Sequence, residues 1–189
     1  MLMNEQQVHT LMEALPYLSN FKDKTIVVKY GGNAMLNDEL KNKVLQDILF
    51  LQYAGMRPVV VHGGGPEISR QLEQAGKKSE FVGGLRVTDA ESAAIAEMAL
   101  VGKMNTDLVG RLNALGGKAV GLNGKDANLL QTKKYLADVY ENGEVNLVDI
   151  GFVGSVKHVN TDLINCLLDD FSMMFPNVTV SMRYVSITN

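Results

Sequence analysis

The chain has 189 residues, 46% of them hydrophobic and 21% charged, with a formal net charge of −3. That length suits one domain of ordinary size, and the balance suits a soluble folded chain rather than a disordered one. Scattered basic residues, densest at Lys77-Lys78 and Lys133-Lys134, argue against a nucleic-acid partner, which needs a concentrated basic surface. No apolar run approaches the ~20 residues of a membrane span. The opening residues lack the basic-then-apolar pattern of a secretory signal, so the expected location is cytoplasmic. Cys166 is the only cysteine, so no intrachain disulfide can form. Its neighbours Ile164, Leu167 and Leu168 make it read as a buried thiol.

Residues 4–19 predict an amphipathic helix, with Val8, Leu11, Met12, Leu15 and Leu18 at helical spacing and Pro16 expected to kink or end it. Residues 25–30 are β-branched and read as a buried strand that stops at Gly31-Gly32-Asn33. A helix over residues 38–54 follows, with Asn37 as N-cap and Gly55 as C-cap. Pro58-Val59-Val60-Val61 predicts a second buried strand, ending in His62-Gly63-Gly64-Gly65. Pro66 then opens a helix that Gly76 closes. Residues 81–87 read as irregular or hairpin-like. Thr88 with Glu91 looks like a capping box for a long helix rich in Ala, Met and Leu, reaching about residue 115. Residues 118–122 predict a third strand. Residues 130–159 predict antiparallel strands over 129–132, 145–149 and 154–159, with a turn at Asn142-Gly143. A last helix starts near Thr161-Asp162, and the alternation across 178–187 allows one more strand.

Alternation of strands and helices predicts an α/β fold: a three-layer αβα sandwich with a mainly parallel sheet, plus an amino-terminal helix and an antiparallel β segment. In such sheets ligands bind beyond the carboxyl ends of the strands. Gly31-Gly32 and Gly63-Gly64-Gly65 both stand there. Glycines let backbone N–H groups approach an anion, and a helix start adds a favourable dipole. The two clusters therefore read as two walls of one anion site. Lys29 stands directly before the first of them. An unpartnered buried ammonium is costly, so this lysine is expected to face an anion such as a transferring phosphoryl group. Neither cluster is a Walker A loop or a dinucleotide fingerprint. Arg86, flanked by Gly83-Gly84, suits carboxylate recognition or an ordinary surface pair with Asp89 or Glu91. His9, His62 and His158 do not form a metal constellation, and no metal ligand is assigned.

The stretches Val28-Lys29-Tyr30-Gly31-Gly32-Asn33-Ala34-Met35, Val60-Val61-His62-Gly63-Gly64-Gly65-Pro66 and Gly83-Gly84-Leu85-Arg86-Val87-Thr88-Asp89 occur in this order. Together with Val148-Asp149-Ile150-Gly151-Phe152-Val153-Gly154 they resemble the acetylglutamate kinases, within the wider amino-acid kinase family, over roughly residues 8–168. The resemblance implies ATP-dependent phosphorylation of the γ-carboxylate of N-acetyl-L-glutamate, a step of arginine biosynthesis. It implies ATP with Mg²⁺ as cofactor. Lys29 would be catalytic, Gly31 and Gly32 phosphate-binding, and Gly63, Gly64 and Arg86 substrate-binding, with Arg86 on the α-carboxylate. It also implies a homo-oligomer: dimers through the helix 89–115 and higher assembly through the helix 4–19.

The expected division is an interaction helix over 1–20, an acyl-substrate domain over 21–168 and a tail, 169–189, that does not match the family. The nucleotide-binding half of the family is not found in this chain, so activity of the chain alone is not expected. Two other readings stand beside this one: a non-catalytic oligomerising or regulatory fragment, and a related amino-acid kinase acting on a different small acid.

Overall fold

The protein is described here by a computed structural model, which covers residues 4–35, 37–141, 143–174 and 179–183. Helix α1 (Glu5–Phe21) starts at a reciprocal cap: the Asn4 side chain accepts from the Gln7 N–H, and the Gln7 side chain accepts from the Asn4 N–H. The helix continues through Pro16 rather than stopping there. No residue of α1 is buried, so water can satisfy the carbonyl that the proline leaves without a donor.

Strand β1 (Thr25–Tyr30), helix α2 (Asp38–Tyr53), strand β2 (Arg57–His62) and helix α3 (Gly65–Gln74) form two consecutive strand–helix units. The Asn37 side chain caps α2 through the N–H groups of Glu39 and Leu40. A two-residue turn at Gly83-Gly84, both at positive φ, joins β3 (Phe81–Val82) to β4 (Leu85–Arg86) in antiparallel pairing. The long helical stretch that follows has three parts: α4 (Ala90–Glu97), a π-helical segment (Met98–Asn105) and α5 (Thr106–Ala114). Its N-cap is Asp89, which accepts from the Ser92 N–H at 2.7 Å, and not Thr88. Thr88 is committed elsewhere: its N–H donates to the Ile150 carbonyl at 2.9 Å and its carbonyl accepts from Phe152 at 2.7 Å. Gly151 makes that crossing possible. It holds φ +82, and a Cβ there would lie 2.1 Å from the Thr88 carbonyl oxygen.

Strand β5 (Ala119–Asn123) is followed by a long antiparallel ribbon, β6 (Leu130–Glu141) with β7 (Glu144–Val159). The two short segments expected over 145–149 and 154–159 are one strand; register shifts between Gln131/Thr132 and Lys134/Leu136 absorb the irregularity. Asn142 lies outside the described residues. Helix α6 (Asp162–Met174) and strand β8 (Thr179–Arg183) complete the chain as described. Within the stretch 178–187, residues 178 and 184–187 lie outside the described residues.

The main sheet is fully parallel, in the order β1-β2-β8-β5. Side chains alternate across it. Val28, Tyr30, Val60 and Ala119 pack against Leu45 and Ile48 of α2 and Leu108 and Leu112 of α5. Val59, Val120 and Leu122 face the other way, against Leu163, Ile164, Leu167 and Leu168 of α6. Helices therefore cover both faces, as the alternation predicted. Each fully buried leucine or isoleucine contributes about 1.5–3 kcal/mol to this sandwich. Cys166 is exposed, not buried, because residues 163, 164, 167 and 168 occupy the sheet-facing side of α6 and leave 166 on the far side.

In the turn after β5, Ala127 holds φ 48, ψ 31, a left-handed conformation that costs a residue with a Cβ about 1–2 kcal/mol. Glycine there loses part of that gain to its greater freedom when unfolded. Ala127→Gly is expected to stabilise the protein by about 0.5–1 kcal/mol, raising Tm by about 1–4 °C in a thermal melt. A lowered Tm would contradict the strain.

Candidate active site

Parallel pairing places Lys29 opposite Val61 and Tyr30 opposite His62, so the turns after β1 and β2 leave the sheet at the same level. The Gly63 N–H donates to the Tyr30 carbonyl at 2.8 Å, and a Cβ on Gly31 would lie 3.7 Å from the Gly63 nitrogen. The two glycine turns are thus in direct backbone contact. An open cleft of about 860 Å³ lies between them, lined by Val27, Lys29, Gly31, Gly32 and residues 63–66, among others. The structure brings Lys29, Gly31, Gly32, Gly63 and Gly64 together as the spacing predicted.

Within the second cluster the donors differ. The Gly63 N–H is engaged by Tyr30, whereas Gly64 and Gly65 stand at the start of α3, where N–H groups have no intrahelical acceptor and the helix dipole is positive. His62 is 2% exposed, and its Nδ1 lies 3.0 Å from the Gly63 carbonyl. A carbonyl only accepts, so Nδ1 is the donor and the ring braces the turn. Lys29 is exposed and enters no ion pair among the described residues.

Arg86 does not line the cleft itself. It sits beside it: Nη2 donates to the Ser69 hydroxyl at 2.7 Å and to the Gly65 carbonyl at 3.4 Å, and Nη1 donates to the Ser79 hydroxyl. The guanidinium lies over the Phe81 ring, 4.7 Å from its centroid. Neither Asp89 nor Glu91 pairs with it; both pair with Lys77, at 2.7 and 2.9 Å. Burial pushes the Arg86 guanidinium below its ordinary pKa, since desolvation disfavours the charged form. Sequence spacing offered no signal for Ser69 or Ser79, which become partners only through the approach of α3 to the hairpin.

A second cavity, about 490 Å³, opens on the α2/α5 side and shares Tyr30, Met35, Gly64 and Pro66 with the cleft. Its charges are already matched. Glu67 meets Arg70 at 2.6 Å and Lys103 at 2.9 Å, and Asp107 meets Arg111 at 2.9 Å and Lys41 at 3.5 Å. The Arg70 hydrogen bond, with further bonds from Gln71 and Lys103, holds the Glu67 carboxyl at about 2, against an ordinary 4.5, although burial opposes the shift.

The close fit of the second turn has a local cause. A Cβ on Gly64 would lie 2.3 Å from Leu100 Cδ2 and 2.7 Å from Met104 Sδ, both on the π-helical segment, whereas nothing lies within 4 Å of one on Gly65. Gly64→Ala should therefore destabilise by about 1–3 kcal/mol through overpacking, while Gly65→Ala should leave the denaturation midpoint nearly unchanged. Equal effects of the two in a urea titration would contradict this packing.

Comparison with known proteins bears on these residues. The model of the amino acid kinase family matches residues 24–180. The chain is 52% identical over 164 residues to an acetylglutamate kinase from Desulfitobacterium hafniense, covering 86% of this chain and 55% of that protein. It is 48% identical over 159 residues to an acetylglutamate kinase from Methanococcus maripaludis, covering 84% and 54%. The chain thus spans about half the length of the curated relatives it matches. Among solved structures, N-acetylglutamate synthase from Neisseria gonorrhoeae superposes with a TM-score of 0.70 at 23% identity, over 93% of this chain and 37% of that one, which is a likeness of fold. With the family model covering most of its residues, and with the parallel sheet and paired glycine turns in place, the chain belongs to the amino acid kinase family.

Proposed function

We propose that this chain is the acyl-substrate half of an acetylglutamate kinase. The observation that supports it best is that Lys29 and Arg86, two cations with no carboxylate partner among the described residues, both stand at the same glycine turn. Lys29 stands in the cleft beside both turns, and Arg86 touches the carbonyl of Gly65 in the second. A substrate with two carboxylates meets both demands. Its α-carboxylate would take the Arg86 guanidinium in charge-assisted hydrogen bonds. Its γ-carboxylate would then lie toward the cleft, where backbone N–H groups of Gly31, Gly32 and Gly64 and the Lys29 ammonium would neutralise charge on the phosphoryl group in transfer. Gly63 would shape the turn, its own N–H being held by Tyr30. A carboxylate is ionised and nucleophilic at neutral pH, so positioning and charge neutralisation supply the catalysis and no strong base is needed. ATP would bring Mg²⁺ bound to its phosphates.

Because the chain spans about half of each curated relative, the reading is that residues 21–168 hold the acyl substrate, that adenine contacts come from elsewhere, and that a cytoplasmic holoenzyme carries out turnover. Calorimetric titration of the chain with N-acetyl-L-glutamate and separately with MgATP tests this. Binding of the acyl substrate alone is expected. Arg86→Ala should weaken it by about 1.5–3 kcal/mol, the worth of a hydrogen bond to a charged group. Absence of acyl-substrate binding, or full turnover by this chain alone, would refute the reading.

A second reading, an oligomerising module, is favoured by α1. Val8, Leu11, Met12, Leu15 and Phe21 are all about half exposed or more on it, and none of its residues is buried. Such an apolar stripe suits a helix partner, which the reading takes to be another copy of the chain. Removal of residues 1–19 is expected to lower the mass seen in light scattering; an unchanged mass would rule the arm out.

A further inference from the structure

Among the described residues Arg57, Arg70 and Arg111 each pair with a carboxylate, and Arg86 pairs with none. It is nevertheless well supplied with acceptors: the hydroxyls of Ser69 and Ser79 and the carbonyl of Gly65. All three acceptors are neutral. They satisfy N–H groups that burial would otherwise leave unpaired, yet leave the positive charge uncancelled. An acidic residue in place of either serine would hold the guanidinium as firmly and would neutralise it. The Phe81 ring closes one face of the group and fixes its plane without consuming a donor.

We propose that Ser69 and Ser79 are positioning residues for carboxylate recognition: they orient Arg86 through neutral hydrogen bonds so that its positive charge and two N–H donors remain for the ligand. The inference rests on the acyl-substrate reading above and goes beyond it, by assigning the selectivity for a ligand with an α-carboxylate to a serine cage. Of the guanidinium's five N–H groups, the three bonds to Ser69, Ser79 and Gly65 leave Nε–H and one Nη1–H uncommitted. Ser69 lies on α3, one turn beyond Gly65. The clamp for one end of the substrate and the anion turn for the other are therefore carried by the same helix, and their spacing is set by it. Ser79 ties the same guanidinium to the segment between α3 and β3, so hairpin and helix meet at one group.

The test is a set of calorimetric titrations of the chain with N-acetyl-L-glutamate and with 4-acetamidobutyrate, which is the same molecule without the α-carboxylate. Ser69→Ala and Ser79→Ala are each expected to weaken N-acetyl-L-glutamate binding by about tenfold, while binding of 4-acetamidobutyrate is unchanged. Ser69→Thr, which returns the hydroxyl, is expected to restore the lost affinity. An equal loss for both ligands, or a loss that threonine does not restore, would mean a merely structural role and would overturn the proposal. Serine variants that bind like the unsubstituted chain, when Arg86→Ala does not, would overturn it and leave the acyl-substrate reading intact. If the unsubstituted chain binds neither ligand, the acyl-substrate reading falls and the proposal falls with it.

Discussion

The in-register parallel pairing of β1 with β2 is the constraint on which the rest of the site depends. It brings the ends of two strands to one level, and the hydrogen bond from Gly63 to the Tyr30 carbonyl locks the two turns together there. A slip of β1 by one residue would turn Val28 and Tyr30 out of the core that α2 and α5 cover and carry Lys29 into it. The burial of Tyr30, Leu45, Ile48 and Val60 therefore also fixes where the Lys29 ammonium stands. Core packing and site geometry are one requirement at this strand end.

Charge is handled in two different ways around the same turn. On the α2/α5 side, Asp38, Lys41, Asp107 and Arg111 compensate one another in a network that ties α2 to α5, and Glu67 with Lys103 ties α3 to the π-helical segment. Such a network has little to offer a charged ligand, because binding would first have to break its pairs. On the cleft side Lys29 and Arg86 have no carboxylate partner among the described residues. The contrast separates a structural set of charges from a set left available. Arg86 meets two hydroxyls where Lys77 meets two carboxylates.

The glycines divide in the same manner. Gly151 is required because β7 crosses the Thr88 backbone too closely for any Cβ. Gly64 is required because the loop rests on Leu100 and Met104 of the π-helical segment. A glycine cluster in a sequence announces close approach of the backbone to something. At Gly64 that something includes the protein's own core.

The sequence alone determined the alternation of strands and helices, the cap at Asn37, and the placing of Lys29, Gly31, Gly32, Gly63 and Gly64 at two strand ends; the C-cap of α2 is Ala54, one residue before the expected Gly55. Each of these follows from local chemistry: β-branched runs, side-chain caps, glycine turns and the spacing of apolar residues. Only the tertiary structure decided the rest. It put β8, the strand that the alternation across 178–187 allowed, between β2 and β5, because a central strand's position is set by which neighbours it pairs with and not by its own pattern. It exposed Cys166, since the phase of α6 against the sheet overrides the apolar character of its sequence neighbours. It gave the N-cap to Asp89 by committing Thr88 to a bridge with β7. And it joined Arg86 to Ser69 and Ser79, 17 and 7 residues away in the chain, because which hydroxyl meets a guanidinium depends on how a helix and a hairpin pack and leaves no periodic trace in the sequence.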